Sequence, residues 1–147
     1  MSEAVLEFSL SIPVEVRFAD HDVFGHVNHV HFVRYCEQHR IHFMSLWRDE
    51  CGVDVLDRGF VVARVECDYL RPIGYGTASV DVEMCVERIG RTSFTLRYNV
   101  LSNGAVSASL RAVIVLTDSE GRPRPVGDSE RRFLRRHGAS EDSSKSS

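Results

Sequence analysis

The residues best suited to do chemistry lie within one short polar stretch, residues 18–29. Two carboxylates, three histidines and a glycine lie in it, just before a predicted helix: Asp20, His21, Asp22, Gly25, His26 and His29. The first turn of a helix presents unpaired N–H donors and a partial positive charge, which stabilise an anion. A nearby carboxylate can attack a carbonyl or activate water while an N–H holds the developing oxyanion. Such residues are also common in loops and helix caps, so spacing alone leaves a structural role open.

A long helix is predicted from about Asn28 to Arg48, a segment without proline or glycine. Its apolar residues recur at helical spacing: Val33, Cys36, Phe43, Met44 and Trp47. Asn28 is a suitable N-cap, and Gly52 follows the end of the helix. Glu37 and Arg40, three residues apart, are expected to form a structural ion pair. A helix this apolar needs cover on most sides, which a curved sheet would supply.

Alternation of apolar and polar residues predicts five strands around this helix. The alternating segments are residues 6–18, 61–69, 80–86, 94–100 and 106–116. Pro13 places the first at an edge or at a bulge, and Asn103-Gly104 predicts a tight hairpin between the last two. Short turns predict that the last four form an antiparallel meander. The expected fold class is α+β, an antiparallel sheet of five or six strands wrapped around one long central helix.

The composition is that of an ordinary globular domain, with 147 residues, 43% of them hydrophobic and 27% charged. A formal net charge of -3 argues against nucleic-acid binding, and no apolar run approaches the length that crosses a membrane. The first residues lack the features of a signal peptide, so we expect reduced thiols and a cytoplasmic location. The cysteines are widely spaced: Cys36, Cys51, Cys67 and Cys85.

Residues 1–137 are expected to form a single domain that ends in a short basic segment. Residues 128–137 could form a short helix capped by Asp128. Residues 138–147 are rich in serine and nearly free of apolar residues, which predicts a disordered tail.

Two segments resemble a known family. The run Val16-Arg17-Phe18-Ala19-Asp20-His21-Asp22-Val23-Phe24-Gly25-His26-Val27-Asn28-His29, followed by Tyr35, Glu37 and Arg40, is similar to the signature of the 4-hydroxybenzoyl-CoA thioesterase-like hotdog family. The stretch Asp68-Tyr69-Leu70-Arg71-Pro72-Ile73 resembles the Tyr-x-x-Pro element of that family. The likeness extends over about residues 12–118. It implies a hotdog fold, a homodimer or homotetramer, an acyl-CoA substrate, hydrolysis of the thioester, and neither metal nor other cofactor.

The resemblance also implies roles for individual residues. Asp22 matches the catalytic carboxylate, which acts as a nucleophile or as the base that activates water. The backbone N–H of His29 would polarise the thioester carbonyl. His26 is assigned to the catalytic set, where it would position Asp22, contact substrate or hold the loop. Gly25 and Asn28, which complete the Gly-His-Val-Asn element, are assigned to substrate binding.

Other residues of the stretch have a structural interpretation or depart from the family pattern. Asp20 is interpreted as structural, for example as a loop cap. His21, His29 and His31 stand where relatives carry other residues, so the acyl specificity of relatives is not transferred. A basic cluster beyond the last strand could bind the phosphates of CoA, although a solvated basic helix is the favoured interpretation: Arg122, Arg124, Arg131, Arg132, Arg135 and Arg136.

Three alternatives compete with this interpretation. The Asp and His residues of the stretch are potential metal ligands, but their spacing fits no compact metal-binding template. Glu37 could supply a helix-borne catalytic carboxylate instead of Asp22. A non-catalytic acyl-CoA-binding hotdog protein is the alternative function.

In the oligomer, we expect the strand of residues 61–68 to lie near the interface and to line the neighbouring site.

Overall fold

The computed structural model describes residues 7–138, which form one antiparallel sheet and three α-helices. The strands are β1 Leu10–Glu15, β2 Phe60–Tyr69, β3 Ser79–Ile89, β4 Ser93–Ser102 and β5 Ala105–Leu116. The helices are α1 Val30–Cys51, α2 Val55–Arg58 and α3 Asp128–Arg136, with a single 3-10 turn at Phe18–Asp20. No helix within residues 7–138 is long and apolar enough to span a membrane. The described residues include Gly138, which forms a bridge with Val86, whereas the rest of the predicted tail lies outside them.

The sheet has the strand order β1-β3-β4-β5-β2. Strands β3, β4 and β5 form the predicted meander, and β1, which contains Pro13, is an edge strand as expected. The prediction was wrong for β2, which pairs with β5 at the opposite edge, from Phe60 beside Leu116 to Tyr69 beside Ala108. Residues 70–78 cross the end of the sheet to reach β3. A crossing connection places β2 and β3 at non-adjacent positions, which a hairpin could not do.

Helix α1 packs against the apolar face of the sheet and forms the core with it. The fully buried large side chains come from both layers, from α3 and from the connection after β2: Tyr35, Phe43, Met44, Trp47, Ile73, Met84, Phe94, Leu96, Tyr98, Leu110, Ile114 and Phe133. Burial of this apolar surface is the main favourable term in folding. This is the hotdog arrangement of the α+β class that the sequence predicted.

Helix α3 is amphipathic rather than simply basic and solvated. Its Phe133 packs on Phe43 and Trp47, with ring centroids 5.1 and 5.6 Å apart. The buried Glu130 accepts a hydrogen bond from Trp47 Nε1 at 3.0 Å and a two-point ion pair from Arg124 at 2.8 and 2.9 Å. The helix begins at Asp128, but its N-cap is Gly127. Arg124, one member of the predicted basic cluster, is therefore a structural residue.

The expected ion pair between Glu37 and Arg40 does not form. Glu37 is exposed, whereas Arg40 is 3% exposed and its Nε donates to the hydroxyl of Tyr98 at 3.2 Å. The long apolar stem of arginine can run along the interface between helix and sheet, which carries its head to β4. Arg40 thus joins α1 to the sheet.

Strand β2 has little cover on its helix-facing side. A bulge at Ala63 shifts the alternation, so that Val62, Val65 and Cys67 lie beside the buried residues of β5, and Val61 lies on the other face. The sequence had placed Val61, Ala63 and Val65 on one face, which is wrong because of that extra residue. Val62 and Val65 remain 40% and 41% exposed, so this edge of the sheet presents apolar surface to its surroundings.

All four cysteines are free, as expected. Burial raises the pKa of Cys36 and Cys85, the latter to about 12, which keeps these thiols protonated and unreactive near neutral pH.

Candidate functional site

The polar stretch before α1 folds into a tight hairpin. His21 pairs with Val27, and the N–H of Asp22 donates to the carbonyl of His26 at 2.8 Å. At the base of the hairpin, the N–H of Asn28 donates to the carbonyl of Asp20 at 2.8 Å. Because its two arms are paired, the hairpin holds Asp22 and His26 side by side near its tip.

Asp22 is held by its own loop through one carboxylate oxygen. Oδ1 accepts the N–H of Phe24 at 2.9 Å and that of His26 at a longer 3.4 Å. Oδ2 accepts no hydrogen bond from any described residue. Gly25 completes the turn with a φ of +81°, a conformation that residues with a Cβ rarely adopt. The turn therefore orients the carboxylate and leaves one oxygen available for a substrate or water.

Asp20 anchors the hairpin to the body of the protein. Its carboxylate is fully buried and accepts from the Arg17 backbone at 3.0 Å, Arg34 Nη2 at 2.7 Å and the Tyr35 hydroxyl at 2.8 Å. Burial by itself raises the pKa of Asp20, but the hydrogen bonds from Arg17 and Tyr35 and the charge of Arg34 outweigh it and lower the pKa to about 2. Asp20 is thus an ionised structural clamp.

The start of α1 presents a free donor. Asn28 Oδ1 accepts the N–H of Val30 at 3.2 Å, which is the capping interaction expected of Asn28, although the residue that precedes the helix is His29. The N–H of His29 donates to no acceptor within residues 7–138. Tyr69, at the end of β2, donates its hydroxyl to the carbonyl of His29 at 3.1 Å and packs edge-on against the His29 ring. Residue 29 is therefore fixed from outside the helix.

A pocket of about 300 Å³ opens beside this helix start. It is lined by Val27, His29, Phe32, Tyr69, Leu70, Arg71 and Pro72. The lining is mainly apolar, with a few polar groups at defined positions, as is typical of small-molecule sites. Asp22 does not line this pocket in the single chain, so an occupant that reached both His29 and Asp22 would extend beyond it.

Comparison with known proteins agrees with this arrangement. The model of the thioesterase-like superfamily matches residues 16–136, most of the chain and all of its core elements except β1. The chain belongs to the thioesterase-like superfamily. No curated protein matches the chain significantly.

Solved structures of thioesterases are similar to this superfamily member in both fold and sequence. A predicted thioesterase from Bacillus stearothermophilus is 32% identical, with a TM-score of 0.77 over 87% of this chain and 95% of that one. A thioesterase from Thermus thermophilus, complexed with coenzyme A and Zn, is 35% identical, with a TM-score of 0.74 over 88% and 93%. A thioesterase superfamily structure from Jannaschia is 26% identical, with a TM-score of 0.74 over 86% and 81%. Together they support a thioesterase-type function.

The structure brings only some of the predicted site residues of this superfamily member together. Asp22, Gly25 and His26 share one turn, and the side chain of His26 forms no hydrogen bond with any described residue. The side-chain oxygen of Asn28 serves the helix cap. His29 contributes its free N–H and lines the pocket.

His21, in the stretch, and His31, in the first turn of α1, lie outside this group. His21 Nδ1 lies 3.2 Å from the carbonyl of Phe18, and His31 Nδ1 lies 3.5 Å from Asp20. Among the described residues, no three His, Cys, Asp or Glu side chains are grouped as metal ligands.

Sequence reasoning missed two residues of the site. Tyr69 holds His29, and Arg71 lines the pocket, yet neither received a role. Both belong to the Tyr-x-x-Pro element, which was a signal that the connection after β2 reaches the site. Their proximity to α1 depends on β2 being an edge strand, which alternation does not reveal.

Proposed function

We propose that the protein is an acyl-CoA thioesterase that hydrolyses an acyl-coenzyme A thioester to a free acid and CoA. The proposal is carried by two groups of this segment that have no hydrogen-bond partner within residues 7–138: Oδ2 of Asp22, near the tip of the hairpin, and the N–H of His29, which follows its second arm. Membership of the thioesterase-like superfamily and a CoA-complexed structural neighbour support it.

In the proposed reaction, the thioester carbonyl oxygen accepts the N–H of His29. As the carbonyl carbon becomes tetrahedral, this donor and the helix N-terminus stabilise the negative charge on oxygen. His26 lies opposite Asp22 and contributes to positioning the carboxylate or the substrate. Gly25 and Asn28 are proposed to bind the substrate only through the backbone they set, Gly25 in the turn at Asp22 and Asn28 in the cap of α1.

Asp22 has two possible roles that give the same products. As a nucleophile, its Oδ2 attacks the carbonyl carbon, the C–S bond breaks, and water then hydrolyses the acyl-aspartyl anhydride. As a general base, it takes a proton from a water whose oxygen attacks the same carbon, and the departing sulfur is protonated. In both routes one water is consumed, and the acid and the thiol are released.

We further propose that the enzyme is at least a homodimer, formed along the β2 edge. Exposed apolar side chains on this strand, Val61, Val62 and Val65, are of the kind that interfaces bury. An unpaired strand edge also offers backbone hydrogen-bonding groups to a second strand. Asp22 does not line the pocket in the single chain. We propose that a second chain at this edge forms the remaining wall of the site, between the pocket and Asp22.

The direct test is thiol release from a panel of acyl-CoA substrates that includes aromatic and medium-chain acyl groups. We expect turnover of at least one class, and the panel identifies the acyl group. If the protein binds acyl-CoA analogues by calorimetry but releases no thiol from any substrate, it is a non-catalytic acyl-CoA-binding protein.

A further inference from the structure

A second pocket of about 450 Å³ adjoins the one at His29, and the two share Arg71 and Pro72. The character of the surface changes across this boundary. The pocket at His29 is mostly apolar, whereas the second is lined by hydroxyl, amide and guanidinium groups and contains no acidic residue: Arg71, Tyr75, Thr77, Ser102, Asn103 and Ser107. A polar concavity with a single cation and no carboxylate is complementary to an anion.

The backbone at Arg71 is held in place. The carbonyl of Ser107 accepts the N–H groups of both Leu70 and Arg71, at 2.8 and 3.1 Å. The next residue is Pro72, whose ring fixes its own φ angle and restricts the residue before it. The side chain of Arg71 is exposed and forms neither an ion pair nor a hydrogen bond with any residue in the described part of the chain. A fixed backbone thus presents an uncommitted guanidinium.

Ser107 adds a second polar group. It is the extra residue of a bulge, because Val100 pairs with Ala108 and Leu101 with Val106. Ser107 is only 2% exposed and lines the second pocket, and its hydroxyl has no hydrogen-bond partner within residues 7–138. Bulges re-aim side chains and are common beside functional sites. A hydroxyl that lines a pocket and has no partner in the protein is free to donate a hydrogen bond to a ligand or to accept one from it.

We propose that this second pocket is an anion subsite in which Arg71 binds an anionic oxygen group of the thioester substrate. This inference rests on the proposed function, since it places the reacting carbonyl at His29 and the anion beyond Arg71. The anionic group is a phosphate of CoA or a carboxylate on the far end of the acyl chain. Both present the oxygen pair that a guanidinium binds at two points.

The test measures dissociation constants of three thioether analogues, in which no bond can be hydrolysed. They are hexyl-CoA, hexyl-pantetheine without phosphates, and carboxyhexyl-pantetheine. We expect one anionic analogue to bind the wild-type protein about tenfold more tightly than neutral hexyl-pantetheine, the size of one charge-assisted contact. Preference for hexyl-CoA identifies the phosphate as the source, and preference for carboxyhexyl-pantetheine identifies the acyl carboxylate.

Variants of Arg71 decide whether this residue is responsible. Arg71→Gln should remove the preference, Arg71→Lys should keep part of it, and the neutral analogue should bind all forms equally. Arg58→Gln removes an exposed cation from α2, away from both pockets, and should change nothing. Equal binding of all three analogues by the wild type, or an unchanged preference in Arg71→Gln, would overturn the proposal. These analogues test binding without turnover. If the protein cleaved no thioester, the proposed function would be refuted, but the binding constants would still show whether Arg71 binds the anion.

Discussion

Asp22 and Asp118 are held by two loops of nearly identical geometry. In each loop, Oδ1 of the aspartate accepts the N–H groups of the residues two and four positions later. The glycine three positions later, Gly25 or Gly121, has a φ of +81°. The turn around Asp22 therefore recurs in this chain at a residue outside the candidate site and is not itself evidence of catalysis. What distinguishes Asp22 is its place in the hairpin that leads into α1, whereas the loop of Asp118 follows β5.

This recurrence supplies a matched control for the catalytic residue. Asp22→Asn keeps the size of the side chain and an oxygen for the turn but removes the charge that attacks the carbonyl or deprotonates water. We expect kcat to fall by at least about 100-fold, with little change in the Kd of a non-hydrolysable substrate analogue.

Asp118→Asn makes the same change in the same turn and should leave kcat within about twofold of wild type. Glu37→Gln should also remain active, because Glu37 is exposed on α1. If Asp22→Asn were fully active and Glu37→Gln inactive, the catalytic carboxylate would be Glu37 on α1 and not Asp22.

At the scale of elements, Asp20 joins the hairpin to α1. Arg17 precedes the 3-10 turn, Arg34 and Tyr35 belong to the helix, and all three donate to one carboxylate. Removing one member of a buried charged group leaves the others without a counter-charge. We expect Asp20→Asn to lower the free energy of unfolding by about 2–4 kcal/mol, measured by urea denaturation at pH 7.

The pH dependence of stability gives an independent check on Asp20. The native state lowers the pKa of this carboxyl from 3.8 to about 2, so its contribution is complete above about pH 4 and is lost as the pH falls toward 2. The difference in unfolding free energy between wild type and Asp20→Asn should therefore shrink over that interval. A difference that stays constant from pH 5 to pH 2.5 would contradict the assignment of Asp20 as an ionised clamp.

At the scale of the molecule, the exposed β2 edge predicts an oligomer. Val65→Asp places a charge on the uncovered apolar face and should shift the protein to a monomer in light scattering at micromolar concentration. We expect kcat/KM to fall with dissociation, because the pocket loses the wall that the second chain provides. Circular dichroism of the variant controls for unfolding, and a fully active wild-type monomer would refute the prediction.

The histidines around the hairpin predict an outcome for metal removal. Asp20, which lies 3.5 Å from Nδ1 of His31, is already engaged by Arg17, Arg34 and Tyr35, which leaves it poorly suited to ligate a cation. Activity should therefore survive exhaustive dialysis against a chelator. If activity were lost on dialysis and restored by adding one metal, the histidines would instead be metal ligands.

Much of the fold is determined by local patterns in the sequence. Alternation located the strands, helical spacing located α1, Pro13 marked an edge strand, and Asn103-Gly104 marked a hairpin, in which Asn103 has a φ of 52°. These signals are legible because strand and helix periods are properties of a segment and its immediate neighbours. The segment that carries Asp22 was predicted from its residue types only as a loop before a helix, and its pairing as a hairpin is a finding of the structure.

Tertiary structure alone decided which elements meet. The place of β2 beside β5, the bulge at Ala63 and the turn of Arg40 toward Tyr98 all depend on partners distant in the chain. Tyr69 reaches His29 only because β2 ends next to the start of α1. Strand pairing is chosen by the packing of whole faces against the core, and that choice is not contained in the period of any single strand.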